Sequence, residues 1–266
     1  MSKLIEIKQL EIIIKKEQHT VVRKIDFSLD KGKSLIILGQ SGCGKTMTCH
    51  SMMGLLDPKK FSISGGIFYN GTDLLTLSAK EKRKLYGGEI AFIPQNPMTA
   101  LDPSMKIGKQ MLETLSLHID VSKNERKNAV LNALKKSGLG DAERVYHSFP
   151  FELSGGMLQR VLIAMVLMVN ARLVIADEPT TALDVVHRNE TIEAFRQLRE
   201  SGTAVLMVTH DFAAAVQLGG DIMIMNEGEI IETGKASEIL TAPNHSYTRS
   251  LIEASVLTAN IREVSE

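Results

Sequence analysis

Between residues 4 and 38 apolar positions come in short alternating or continuous runs, broken by Asp30-Lys31-Gly32, a pattern that predicts strands joined by turns. The run Ser34-Leu35-Ile36-Ile37-Leu38 predicts a buried strand, and it stops where a glycine-rich stretch begins. Beyond Lys45 the positions of Met47, Met52, Met53 and Leu56 predict a helix. From residue 97 to 167 the pattern changes: Ile107, Met111 and Leu115, then Val130 and Leu134, keep helical spacing with few β-branched runs, which predicts a helical insertion. Strand signals return at residues 173–176 and 204–208, with a helical stretch over 186–199 between them. This is a βαβ pattern and implies a parallel sheet. A last strand pair is predicted over 222–225 and 229–232, turned at Asn226-Glu227-Gly228. The expected organisation is a β-rich first part of an α/β core (1–96), a helical subdomain (97–167), the second part of the core (168–240) and a helical tail (241–266).

Composition removes several function classes. Hydrophobic residues make up 44% of the 266 and charged residues 23%, ordinary globular material with enough apolar side chains for a sizeable core. Lys plus Arg (31) balance Asp plus Glu (31), so no overall charge draws the protein to nucleic acid or to acidic lipid. The longest apolar run, residues 161–169, falls well short of the roughly 20 residues of a spanning helix. The first eight residues alternate charged and apolar side chains without the form of a signal peptide, which predicts a cytoplasmic location. Cys43 and Cys49 lie on one loop-to-helix element, suited neither to a disulfide framework nor to a four-ligand metal site.

The chemistry is concentrated in two places. A strand feeding Gly39, Gln40, Ser41, Gly42, Cys43, Gly44, Lys45 and Thr46, followed by a helix, meets the phosphate-loop pattern in its required context. Its glycines turn backbone amides inward around phosphates, Lys45 reaches the β- and γ-phosphates, and the Thr46 hydroxyl ligates magnesium. A hydrophobic strand ending in Asp177-Glu178 supplies carboxylates at the carboxyl edge of a parallel sheet, where ligands bind. Asp177 is expected in the magnesium shell, and Glu178 as the group that orients and deprotonates the attacking water.

The branch of P-loop protein comes from Leu153-Ser154-Gly155-Gly156-Met157-Leu158-Gln159-Arg160, which resembles the signature of the ABC ATPases. Around it Gln95 resembles the Q-loop, Thr181-Ala182-Leu183-Asp184 the D-loop and Thr209-His210-Asp211 the switch histidine, in family order over nearly the whole chain. The resemblance implies a RecA-like core with an N-terminal antiparallel β subdomain and a helical insertion, binding ATP and magnesium. It implies that Gln95 senses the γ-phosphate and metal, and that His210 contacts the γ-phosphate. It also implies that Ser154, Gly155, Gly156, Gln159 and Asp184 cover the nucleotide held by a partner's loop, so that dimerisation belongs to catalysis. The six other histidines, His50 and His187 among them, are read as surface or structural residues. One departure stands out: the place where the family stacks an aromatic on adenine is here Ile12-Ile13-Ile14-Lys15-Lys16, and no aromatic precedes Phe27.

Gln95-Asn96-Pro97-Met98-Thr99-Ala100-Leu101-Asp102-Pro103 and His245-Ser246-Tyr247-Thr248-Arg249-Ser250-Leu251 resemble the oligopeptide, dipeptide and nickel importer branch. Phe149-Pro150-Phe151-Glu152 running into the signature, together with Ile175-Ala176-Asp177-Glu178-Pro179-Thr180-Thr181, most resembles the nickel-type first ATPase subunit, and the absence of a cysteine cluster in the tail leans the same way. The expected partners are a second, homologous ATPase (a homodimer is the variant), two membrane permeases and an extracytoplasmic solute-binding protein. The expected place is the cytoplasmic face of the membrane, held through the permeases. A non-transport ABC ATPase acting on nucleic acid is disfavoured by the neutral charge.

Overall fold

The computed structural model describes residues 3–119, 122–181 and 183–264. Expectations that touch Met1, Ser2, Ala182 of the D-loop stretch, or the final two residues lie outside it. The chain begins with two long strands, β1 (Lys3–Ile14) and β2 (His19–Asp30), and then β3 (Ser34–Leu38) leads into α1 (Lys45–Met52). The strands β4 (Phe61–Tyr69) and β5 (Thr72–Asp73), the helix α2 (Ala79–Leu85) and β6 (Ile90–Ile93) follow. The helical segment holds α3 (Ile107–His118), α4 (Lys123–Lys136), α5 (Ala142–His147) and α6 (Gly155–Val169). The rest is β7 (Leu173–Asp177), α7 (Val185–Glu200), β8 (Ala204–Thr209), α8 (Phe212–Leu218), β9 (Asp221–Asn226), β10 (Glu229–Lys235), α9 (Ala236–Thr241) and α10 (Ser246–Val264).

Two sheets result. The first is antiparallel in the order β2-β1-β4-β5, and the second has the order β10-β9-β3-β8-β7-β6. In the second, β9, β3, β8, β7 and β6 run parallel and only β10 is antiparallel. All five residues of β3 and of β7 are buried, because both faces of this sheet are covered. Side chains alternate between two cores accordingly. Ile36, Leu38, Val174, Ala176, Val205 and Met207 pack toward the helices of the insertion. Leu35, Ile37, Leu173, Ile175, Leu206 and Val208 pack toward α1 and the antiparallel sheet. This period-2 division sets α1, with Cys49 and Met52 in that second core, at the carboxyl end of β3.

α2 has no buried residue and forms for a local reason: the Ser78 hydroxyl and the Glu81 carboxylate cap each other's backbone amides. The opposite case is α6, which buries 11 of its 15 residues and runs through the middle of the insertion. Among the described residues no helix is long and apolar enough to cross a membrane.

Candidate nucleotide site

The loop of residues 39–46 is shaped by its surroundings. A Cβ on Gly39 would stand 2.3 Å from the Met225 carbonyl oxygen, and Gly44 adopts φ +109° with the Val21 carbonyl 2.8 Å from the place its Cβ would take. Both positions therefore exclude any side chain. Gly44 caps α1, whose first amides have no partner within the helix and face the loop. The Lys45 ammonium, only 3% exposed, donates to the Gly39 carbonyl at 2.8 Å and to the Gln40 carbonyl at 3.0 Å. Burial pushes the Cys43 thiol up, so its side chain is an inert filler.

Two further strand ends, of β7 and β8, bring carboxylates and a histidine to this ammonium. At the end of β7 the Asp177 carboxylate accepts the Thr46 hydroxyl at 3.0 Å, and burial raises its pKa against that bond. Glu178, one residue on, lies at φ +45° in the left-handed region, and its N–H donates to the Val208 carbonyl of β8 at 2.8 Å. Such a conformation costs an L-residue on the order of 1–2 kcal/mol and persists because the surroundings hold it. Glu178 Oε1 is 3.7 Å from Lys45 Nζ, while Oε2 accepts the Thr181 hydroxyl at 2.9 Å and faces His210 Nδ1 at 3.0 Å. The His210 bond, opposed by burial and aided by Thr181 and Lys45, holds the Glu178 carboxyl down at about 2, and the same bond raises His210.

Lys45, Thr46, Asp177, Glu178 and His210 thus form one connected cluster. Gln95, just past β6, is exposed, and its side chain makes no hydrogen bond to Thr46, Asp177 or Glu178. The signature residues form a second cluster. Ser154 caps α6 by accepting the Met157 N–H at 3.3 Å, Gly155 lies beside Leu183, and a Cβ on Gly156 would meet the His187 ring. Asp184 caps α7, accepting the His187 N–H at 2.9 Å and facing His187 Nδ1 at 2.6 Å. Among the described residues no hydrogen bond or ion pair joins Ser154, Gly155 or Gly156 to residues 39–46.

One expected ligand needs correction. Gln159 is 2% exposed and points inward, its Nε2 donating to the Pro94 carbonyl at 3.4 Å. A side chain on that face of a buried helix ties the signature helix to the exit of β6 and does not reach a nucleotide on a partner. Two residues near the carboxylates are given no role there by the sequence pattern: Thr181, which enters only as the start of the D-loop stretch, and His50 on α1, whose Nε2 lies 3.7 Å from Asp177 Oδ2. Only the fold brings them there.

The donor set fits magnesium. No group of three His, Cys, Asp or Glu gathers among the described residues, and the part-buried pair of one hydroxyl and one carboxylate suits an ion that takes its other ligands from phosphates and water. A parallel sheet with a phosphate loop at its carboxyl edge, a carboxylate pair on the neighbouring strand and a separate helical signature defines an ATP-binding cassette. The profile of the ABC transporter family matches residues 22–181. The oligopeptide transport ATP-binding protein OppD of Bacillus subtilis is 40% identical over 95% of this chain and 72% of its own length. The metal-staphylopine import ATP-binding protein CntD of Staphylococcus aureus (strain Mu50) is 36% identical over 94% of this chain and 92% of its own. The cassette MJ0796, a dimer in a post-hydrolysis state bound to ADP and Pi, superposes with a TM-score of 0.76 at 26% identity, over 87% of this chain and 98% of that one. The chain belongs to the ABC transporter family, as an ATP-binding subunit of the OppD, DppD and CntD type of importer. It is an ATPase whose hydrolysis is coupled to transport, and cassettes of this family dimerise and work with membrane permeases.

Proposed function

We propose that the cluster around Lys45 is the hydrolytic half of the ATP site and that this chain energises the uptake of nickel or a nickel chelate. In this reading the amides of residues 39–46 and the Lys45 ammonium hold the phosphates. Thr46 and Asp177, with Gln95 from the edge of the helical segment, hold the magnesium, which neutralises charge building on the phosphates. Glu178 orients and deprotonates the attacking water, and His210 contacts the γ-phosphate. Ser154, Gly155, Gly156 and Asp184 cover the nucleotide of the partner cassette.

The observation that carries the reading is the clamp on Glu178. Lys45 and His210, the two cations that lower its pKa, are the two groups a γ-phosphate attracts. When they turn to phosphate, the carboxylate regains basicity beside the bond to be cleaved. Base activation is thereby linked to nucleotide binding.

The nickel assignment rests on the resemblance of residues 149–160 and 175–181 to the nickel-type subunit. It places this chain beside a second, homologous ATPase, under two permeases and an extracytoplasmic solute-binding protein, on the cytoplasmic face of the membrane. The 40% identity with OppD favours a second reading, the same motor in an oligopeptide or dipeptide importer. A strain lacking the chain, complemented with wild type or Glu178→Gln and offered labelled nickel or a labelled dipeptide, separates the two. Glu178-dependent nickel uptake is expected, and Glu178-dependent peptide uptake with unaltered nickel uptake refutes it.

A further inference from the structure

Two faces of α7 meet two different parts of the molecule. Toward α6, the His187 side chain packs on Gly156, and Glu190 pairs with the buried Arg160 at 3.1 Å. Toward α8, Arg188 Nη1 donates to Asp211 Oδ2 at 3.1 Å, and the Gln217 amide donates to Asn189 Oδ1 at 3.0 Å. The side chains of Arg188 and Asp211 are only 19% and 16% exposed, so solvent and salt screen this pair less than an ion pair at the surface. Among the described residues neither side chain bonds to Lys45, Thr46, Asp177 or Glu178.

Asp211 follows His210, and its groups hold the turn that carries the histidine. Its N–H donates to the buried Thr209 hydroxyl at 3.0 Å, and Oδ1 accepts the Ala214 N–H at 3.1 Å as the cap of α8. Oδ2 is left for Arg188, so the guanidinium fixes the rotation of the carboxylate on which the turn depends. The His210 ring has far less support. It is largely exposed, and among the described residues its one hydrogen-bond partner is Glu178 at 3.0 Å. Where the ring points is therefore decided by the backbone of this turn. Without its guanidinium, the Asp211 carboxylate would also be a second anion one residue from the ring, competing with Glu178 for it.

We propose that Arg188 is a positioning residue for His210: by holding Asp211 it sets the turn that presents the ring to Glu178, and it ties that turn to the helix bordering the signature. The proposal rests on the reading of His210 as the residue that meets the γ-phosphate beside Glu178. Arg188 acts through the turn and touches no phosphate, so its loss falls on the rate of hydrolysis and leaves nucleotide binding in place.

The test is phosphate release by the assembled transporter at saturating ATP, beside a titration of the full chain with fluorescent MANT-ATP. Arg188→Gln keeps a polar side chain and removes the charge. The expected result is a kcat lower by about tenfold, the lower end of what a hydrogen bond between charged groups supplies, with Kd within about twofold of wild type. Asp211→Asn keeps a capping side chain for α8, loses the same ion pair and is expected to lower kcat to a similar degree; it carries the test if Arg188→Gln fails to fold. With both changed, kcat should fall no further than with either alone, because the two substitutions remove one interaction. A merely structural pair would lower the melting temperature and spare kcat. A kcat within about twofold of wild type in a folded single variant, or a double variant at the product of the two separate losses, overturns the proposal. His210→Ala separates the two levels: turnover retained there sinks the reading of His210 itself, whereas turnover lost there with an unmoved Arg188→Gln sinks only the role of Arg188.

Discussion

Replacing Glu178 by Gln removes a charge and a proton acceptor while leaving shape and backbone nearly as they are. Gln occupies the same φ of +45°, so the strain is unchanged, and its amide oxygen still accepts the Thr181 hydroxyl. Removing a general base costs about 10²- to 10⁴-fold in the chemical step, or roughly 3–5 kcal/mol of barrier. Nucleotide binding should move the other way. At 3.7 Å from Lys45, with an effective dielectric of about 20, the gross attraction is about 4–5 kcal/mol, of which desolvation and screening leave a fraction. That fraction holds the ammonium back from phosphate, so its loss leaves ATP affinity equal or tighter. The assay is phosphate release by the assembled transporter beside MANT-ATP binding by the full chain. A kcat within tenfold of wild type refutes Glu178 as the base. Loss of binding would instead make the carboxylate part of the loop's architecture.

His210 should titrate above the ordinary histidine value because Glu178 stabilises its protonated ring. Its contribution to stability is complete below about 6.5 and disappears as pH rises through the raised value. Glu178, held at about 2, contributes above its ordinary value near 4.5 and loses that contribution as pH falls toward 2. Because the His210 side chain is 57% exposed, solvent screening keeps the effect on stability small, and the sharper measurement is the ring titration by NMR. Glu178→Gln should lower the midpoint, and a wild-type midpoint at or below the ordinary histidine value of about 6.5 contradicts the pair. Gly39→Ala places a Cβ 2.3 Å from the Met225 carbonyl, so it should lower the melting temperature and weaken MANT-ATP binding more than tenfold; wild-type affinity would show that the loop can shift. Phe195→Ala empties a fully buried site on α7 and should destabilise by about 3–5 kcal/mol in urea denaturation, with a cost below 1 kcal/mol arguing that the core collapses to fill it.

Where a pattern is set by burial, the sequence reads directly. Ser34–Leu38 is apolar almost throughout because β3 is covered on both faces, and the spacing of Ile107, Met111 and Leu115 follows from the single buried face of α3. Where it is not, the sequence is silent. α2 has no apolar stripe and exists through a capping box, so hydrophobic spacing passes over it. Gln159 shows a different failure. α6 is buried on most sides, its apolar residues do not declare which way a lone polar side chain turns, and the inward course of Gln159 emerges only from its contact with Pro94. The contacts of Glu178 with Lys45 and His210 join strand ends and a helix start far apart in sequence. Local periodicity carries no information about such pairs.

On the proposed reading, in which the signature residues serve a partner's nucleotide, the separation of the two clusters leaves one chain with half of the chemistry. Lys45 and Thr46 at the start of α1, Asp177 at the end of β7, and Glu178 and His210 just beyond β7 and β8 all stand at the carboxyl edge of one sheet, so their mutual distances follow its strand spacing. Ser154, Gly155 and Gly156 belong to α6, which leans on α7 through Leu183 and His187. Next to that cluster Val185 and Val186 are 55% and 66% exposed, apolar surface of the kind an interface covers. Within the chain the two clusters are joined indirectly, by Gln159 of α6 holding Pro94 next to Gln95. A shift of the helical segment is thereby felt at the exit of β6, at the edge of the phosphate site. On the proposed reading the glycine-rich loop holds phosphate, and the Gln159–Pro94 contact is the route by which a displacement of the helical segment would reach Gln95.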